Sequence, residues 1–289
     1  MARADMDYFI PGTKTLDNKL GEKTFGYGIK DPGELAAKEV QLSAVRMQEL
    51  QEKPIAGDFG YAHMQQIHEH LFQDVYAWAG QPRTVDLNRD WPHDSQAYGP
   101  HQDIETLSTR QQKLMGRDSM LKGITDPNEF ADTLAFHWGE INMAHAFRDG
   151  NLRAQAVFFE QLANEAGWDL DISRLDADHP DSVRDAFLAD QFSYRDDNYN
   201  TARLTKTLSK LVTIQQPELT ADVTRERDLT TAARADVPSN PKKNAVPKET
   251  IAERMRRFPE LAPDSNATNH EPDGPIRFSA DGSSMQLEL

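Results

Sequence analysis

Two stretches of this chain carry the same start signal, and both are committed to helix by it. Asp31-Pro32-Gly33-Glu34 and Asp126-Pro127-Asn128-Glu129 each supply a side-chain acceptor, a proline at the first helical position and an acid at the third. The first predicts a long helix to about Leu50. The second predicts a helix that turns Phe130, Leu134, Trp138 and Ile141 toward a core. Between them, Asp58 opens a stretch in which Met64, Ile67, His68, Leu71, Phe72 and Val75 recur at helical spacing, and a further helix runs from about Ile104 to Leu121. A fifth spans about Asn151 to Ala166, with Leu152, Ala156, Phe159 and Leu162 on one face and Gly167 as its stop. One or two more are expected between Ser182 and Leu211. Strand signals are scarce, and the best is Thr84 to Leu87. The fold class is therefore all-α, with one small extended or hairpin element.

Composition sets the outer limits. The formal charge of −15 repels polyanions, so no nucleic-acid partner is expected. With no cysteine in the chain, disulfides and thiolate chemistry are excluded, which fits a reducing compartment. No apolar run approaches the roughly 18 residues that a membrane span needs. A cytoplasmic protein is expected, with secretion by a machine reading other signals as the alternative. The composition shifts near residue 215. Residues 216–289 hold eight of the sixteen prolines and only two aromatics, Phe258 and Phe278. Such a segment buries too little apolar area to offset the entropy of ordering. Residues 1–214 thus read as one folded domain and 215–289 as a largely disordered polar tail, with a short amphipathic segment at 247–261.

The chemistry is concentrated between the fourth and fifth predicted helices, in His145-Ala146-Phe147-Arg148-Asp149-Gly150-Asn151-Leu152-Arg153. A helix beginning at Asn151 presents unpaired N–H groups and a positive dipole end, a ready anion site. Gly150 lets the backbone approach a ligand closely. Arg153 adds a permanent charge that can fork onto phosphate oxygens. Asp149 is a hard oxygen ligand suited to Mg²⁺, and His145 can take a proton near neutral pH. A base, a metal carboxylate, an anion cradle and a cation are the parts of phosphoryl or nucleotidyl transfer.

The same nine residues resemble the signature of the Fic (Fido) family, His-x-Phe-x-Asp/Glu-Gly-Asn-Gly-Arg-x-x-Arg, with His145, Phe147, Asp149, Gly150, Asn151 and Arg153 in register. Upstream, Ile55 to Phe59 and Ile67 to Val85 also resemble the family, as do Phe158 to Leu162 and Ala166 to Trp168 after the motif. The resemblance covers roughly residues 8 to 211. It implies a Fic-type helical domain with a small β-hairpin flap and a protein adenylyltransferase that uses ATP and Mg²⁺. His145 would be the base, Asp149 the Mg²⁺ ligand, and Phe147 a core anchor. Gly150, Asn151, Leu152 and Arg153 would hold the nucleotide phosphates. The flap at Gly80, Gln81, Pro82, Arg83, Thr84 and Val85 would align a target protein by strand addition.

The motif also departs from the family pattern. Ala146 stands for the common proline, Leu152 for the second glycine and Ala156 for the final arginine, whose lost charge-assisted contact would cost about 1.5–3 kcal/mol. Weakened or altered activity is the expectation. Two alternatives are a phosphotransferase like the related Doc toxins, which also lack the last arginine, and a decayed binding module. The family's inhibitory pattern, Ser/Thr-x-x-x-Glu-Gly/Asn, is missing from the sequence, which by resemblance implies a separate small antitoxin as partner. His63, His68 and His70 do not share one helical face, so a zinc site is not expected there. Trp91-Pro92-His93 and Tyr98-Gly99-Pro100-His101 read as a loop bordering the nucleotide or the target, or as ordinary loop packing.

Overall fold

The computed structural model describes residues 8–21, 26, 28–89, 96–174, 183, 184, 186 and 200–215. The expected tail beyond residue 215, the segment at 247–261 and Trp91-Pro92-His93 lie outside the described residues. Within them the helices are α1 (Pro32–Glu52), α2 (Tyr61–Phe72), α3 (Ile104–Arg117), α4 (Pro127–Ala144), α5 (Asn151–Glu165) and α6 (Ala202–Leu208). The strands are β1 (Asn88–Arg89), β2 (Gln96–Ala97), β3 (Trp168–Leu170) and β4 (Val212–Ile214).

Both capping signals work as read. Asp31 Oδ1 accepts from Glu34 N at 2.7 Å, and Asp126 Oδ1 accepts from Asn128 N and Glu129 N at 2.9 and 3.0 Å. Asp58 does not start α2. Its carboxylate accepts from Gly60 N at 2.9 Å and closes the turn before the helix, so α2 begins at Tyr61. The third helix is shorter than expected because the chain turns left-handed at Ser119, Met120 and Leu121, breaking the α-helix after Arg117.

The strand assignment needs correction. Thr84 and Val85 form a bend rather than a strand, and the antiparallel pairing falls just beyond, Asn88 opposite Ala97 and Arg89 opposite Gln96, with Tyr98 N donating to Leu87 O at 3.4 Å. A second antiparallel pair, Trp168–Leu170 with Val212–Ile214, closes the far side of the domain. Its three-residue strands are too short for a period-2 pattern to stand out.

Helix α4 is buried on almost every side, beyond the single stripe expected, because α3, α5 and α6 all pack on it. Ala131, Ala135, Gly139 and Ala144 keep its surface narrow enough for that. Two of its buried polar side chains are paired internally: His137 bonds Asp118 at 2.8 Å and Gln111 at 2.7 Å, and Trp138 Nε1 donates to Gln155 on α5 at 3.1 Å. Burial of this kind gives the loop between α4 and α5 a rigid base.

Candidate active site

Residues 145–150 connect the end of α4 to the start of α5. His145 ends α4 in a left-handed conformation, φ 40° and ψ 60°, which costs an ordinary residue about 1–2 kcal/mol. Phe147 drops its ring into the core, stacked on His68 with centroids 3.8 Å apart. Asn151 clamps the loop: its Oδ1 accepts from Phe147 N at 2.9 Å and its Nδ2 donates to Phe147 O at 2.7 Å. The Asn151 side chain thus holds the loop with its oxygen and one of its two N–H donors.

Gly150 is the N-cap of α5, with φ 74° and no side-chain acceptor for the first-turn amides. The Asn151, Leu152 and Arg153 N–H groups have no acceptor among the described residues. A helix start left open in this way has the donors and dipole to take an anion. Leu152 packs partly against the core. Asp149 sits at the mouth with its side chain 49% exposed, one oxygen accepting from Gly150 N at 2.5 Å. The other oxygen has no hydrogen-bond partner among the described residues and suits a hard divalent cation.

Arg153 is not the free cation that the motif implies. Its guanidinium bonds Glu39 and Ser43 of α1 and lies over the Phe72 ring, 4.7 Å from the centroid. Glu39 also accepts from the Tyr76 hydroxyl. Two of five N–H donors are used, so three remain for a ligand. Ala156, where the family has its last arginine, is fully buried in the hydrophobic core. Nothing in the sequence pointed to Glu39, which lies far away along the chain.

The residues assigned to the flap take a different place from that expected. Gly80 N donates to His68 Nδ1 at 2.9 Å, Gln81 N to Trp78 O at 2.9 Å, Arg83 N to Ala146 O at 2.8 Å and Thr84 N to the Tyr8 hydroxyl at 3.0 Å. Pro82 has no amide. Residues 80–84 are thus pinned to the domain, and their N–H groups are not offered to a visiting strand. From Val85 to Leu87 the amides have no acceptor among the described residues. Arg83 is buried, and Tyr98, just after β2, stacks on the His145 ring with centroids 3.7 Å apart and planes at 15°.

His68 ties these parts together. Because Nδ1 accepts from Gly80, Nε2 carries the proton and donates to Asp149 O at 2.9 Å. Burial pushes its pKa down to about 3. The imidazole must stay neutral to make both bonds, whereas the unfolded chain protonates near 6.5. The unfolded state therefore binds more protons between these values, and stability falls as pH drops from about 6.5 toward 3, with a slope approaching 1.4 kcal/mol per unit. Denaturant titrations at pH 7, 6, 5 and 4 are expected to show the gap between parent and His68→Gln narrowing steadily with acid. A gap independent of pH would refute this role. The neighbouring histidines point elsewhere, His63 to Ile55 O and His70 to Glu49, each at 2.9 Å or less.

Residues 58–163 match the Fic/DOC family. The chain is 37% identical over 169 residues to the protein adenylyltransferase VbhT of Bartonella schoenbuchensis, covering 58% of this chain and 33% of that protein. Against the probable protein adenylyltransferase Fic of Escherichia coli the identity is 32% over 164 residues, covering 56% of this chain and 74% of that one. In structure it resembles the BepC effector protein of Bartonella tribocorum, solved with bound AMPPNP, at a TM-score of 0.62 and 24% identity, over 72% of this chain and 97% of that chain. The chain belongs to the Fic/DOC family. The matched segment spans only about a third of VbhT. No helix among the described residues is long and apolar enough to cross a membrane.

Proposed function

We propose that this chain is a protein adenylyltransferase, moving AMP from ATP to a hydroxyl side chain of a target protein. The observation that carries the reading is the uncapped start of α5, with His145 and Asp149 on the loop leading into it. The relatives named as adenylyltransferases and the AMPPNP bound to BepC support it.

In this reading the open amides of residues 151–153 and the spare donors of Arg153 bind the phosphates. Asp149 fits a Mg²⁺ ion, which would neutralise phosphate charge when bound. His145 takes the proton of the target hydroxyl as its oxygen attacks the α-phosphorus; the bond to the β-phosphate oxygen breaks and pyrophosphate leaves. Residues 85–87, with amides unengaged, align an extended target segment by strand addition. Ala156 supplies no charge for the terminal phosphate, so slower transfer than in relatives with the full motif is expected. A protein target is required, and a separate small antitoxin would supply control. The protein acts in the cytoplasm, or is delivered elsewhere as the effector relatives are.

Incubation with ATP, Mg²⁺ and a bacterial lysate, followed by intact-protein and peptide mass spectrometry, tests the reaction. A gain of one AMP on a Ser, Thr or Tyr is expected. A gain of one phosphate would favour the Doc-like reaction, which the buried Ala156 motivates, and Mg-ATP failing to bind would leave only a binding module.

A further inference from the structure

Resting on that reading, we infer that Arg83 and Tyr98 are positioning residues that hold the general base His145 from the two stems of the hairpin. Arg83 precedes β1 and Tyr98 follows β2. The last carbonyls of a helix lack partners within it, and α4 ends without the glycine that usually lets the chain turn left-handed. Here the stems satisfy them. Gly99 N donates to Met143 O at 2.8 Å. Arg83 Nη2 donates to Ala144 O at 3.3 Å, Arg83 Nε to His145 O at 2.8 Å, and Arg83 N to Ala146 O at 2.8 Å. The same guanidinium ties the two stems together, donating to Val85 O on its own stem at 2.7 Å and to Gly99 O on the other.

The Arg83 side chain is 0% exposed, and its nearest carboxylate, Asp86, is 3.6 Å away and largely in water. Burial pushes its pKa down to about 10, which leaves it charged at neutral pH. A cation with no close buried counter-ion is favoured where it lies, against the negative end of α4. A surface role in target recognition does not fit a fully buried side chain whose four hydrogen bonds all go to main-chain carbonyls. Tyr98 completes the bracket by laying its ring flat on the imidazole. Backbone and ring of His145 are thus each fixed from one stem, while the phosphate cradle at 149–153 is fixed separately, by His68 and by the Asn151–Phe147 pair.

That separation makes the inference testable. Lysine offers a compact charge that cannot span the carbonyls a guanidinium fork reaches. In the full chain, Arg83→Lys is expected to lower kcat by about 10- to 100-fold with the ATP KM within about threefold of the parent. Tyr98→Leu, which leaves the buried brace in place, is expected to lower kcat by about tenfold with an unchanged thermal midpoint. NMR of the protein labelled at histidine should show the His145 ring signals shifted or broadened in both variants and those of His68 unmoved. Parental kcat in both variants, a kcat loss that only tracks the folded fraction, a rise in KM alone, or unmoved His145 signals would each overturn the inference. If the parent transfers nothing to any target, the reading of its function fails, and the NMR comparison still decides whether these two residues hold His145.

Discussion

His145→Ala is expected to reduce transfer by about 10²- to 10⁴-fold while leaving Mg-ATP affinity within about threefold of the parent. The size follows from removing a positioned base whose task is to take a hydroxyl proton in the transition state. The selectivity follows from the geometry. The imidazole projects from the end of α4 and stacks on Tyr98, whereas the open amides proposed to bind phosphate belong to the first turn of α5. The loop between them is tied by Phe147, Asn151 and His68 through bonds that do not involve the His145 side chain. Alanine enters the left-handed backbone at 145 less readily than histidine, a difference of about 1 kcal/mol or less, so only a small loss of stability should accompany the change. Isothermal titration with a non-hydrolysable ATP analogue and initial rates of target labelling separate the two quantities. Labelling at more than a tenth of the parental rate would remove His145 from the reaction, and lost nucleotide binding would make its role structural.

How much of this could be read from sequence depended on how far apart in the chain the partners lie. Residues 145–153 were legible because the base, the acid, the turn glycine and the helix start are consecutive, and the caps at Asp31 and Asp126 act on amides two or three residues away. The bonds that hold residues 80–84 to the domain reach across the fold, so no local pattern shows them. The partners of Arg83 are carbonyls at 144 and 145, and no local pattern shows that its charge is buried under a helix end. The ion pair of Arg153 with Glu39 was hidden for the same reason, since it joins α1 to α5 across the fold. For Asn151 the family resemblance implies an anion contact and says nothing of a loop clamp. Only the structure shows both ends of its amide closing on Phe147. The β3–β4 pair escaped notice because its strands are three residues long and separated by most of the C-terminal part of the domain.

Gly150→Ala should do the greatest damage to the fold of any single-methyl change in the motif, and should abolish nucleotide binding with it. Two independent costs meet at this position. The backbone is held at φ 74°, where a side chain costs about 1–2 kcal/mol. A Cβ built on that backbone would also overlap the edge of the Phe72 ring, which is itself fully buried and has no open space to move into. Overpacking of that kind typically costs a further 1–3 kcal/mol, roughly. For a domain of about 200 residues the sum corresponds to a fall in thermal midpoint of roughly 10 °C. Relaxation would not restore function. Phe72 is the surface on which the Arg153 guanidinium rests, and residue 150 sets the direction of the first open amides of α5, so relieving the overlap moves both halves of the proposed phosphate cradle. Thermal unfolding of parent and variant, with and without Mg-ATP, measures both effects. The parent midpoint should rise with nucleotide and the variant midpoint should not. A variant that melts within about 2 °C of the parent and is stabilised equally by nucleotide would show that the loop tolerates a side chain at 150, and the cradle would then have to be sought elsewhere than at the start of α5.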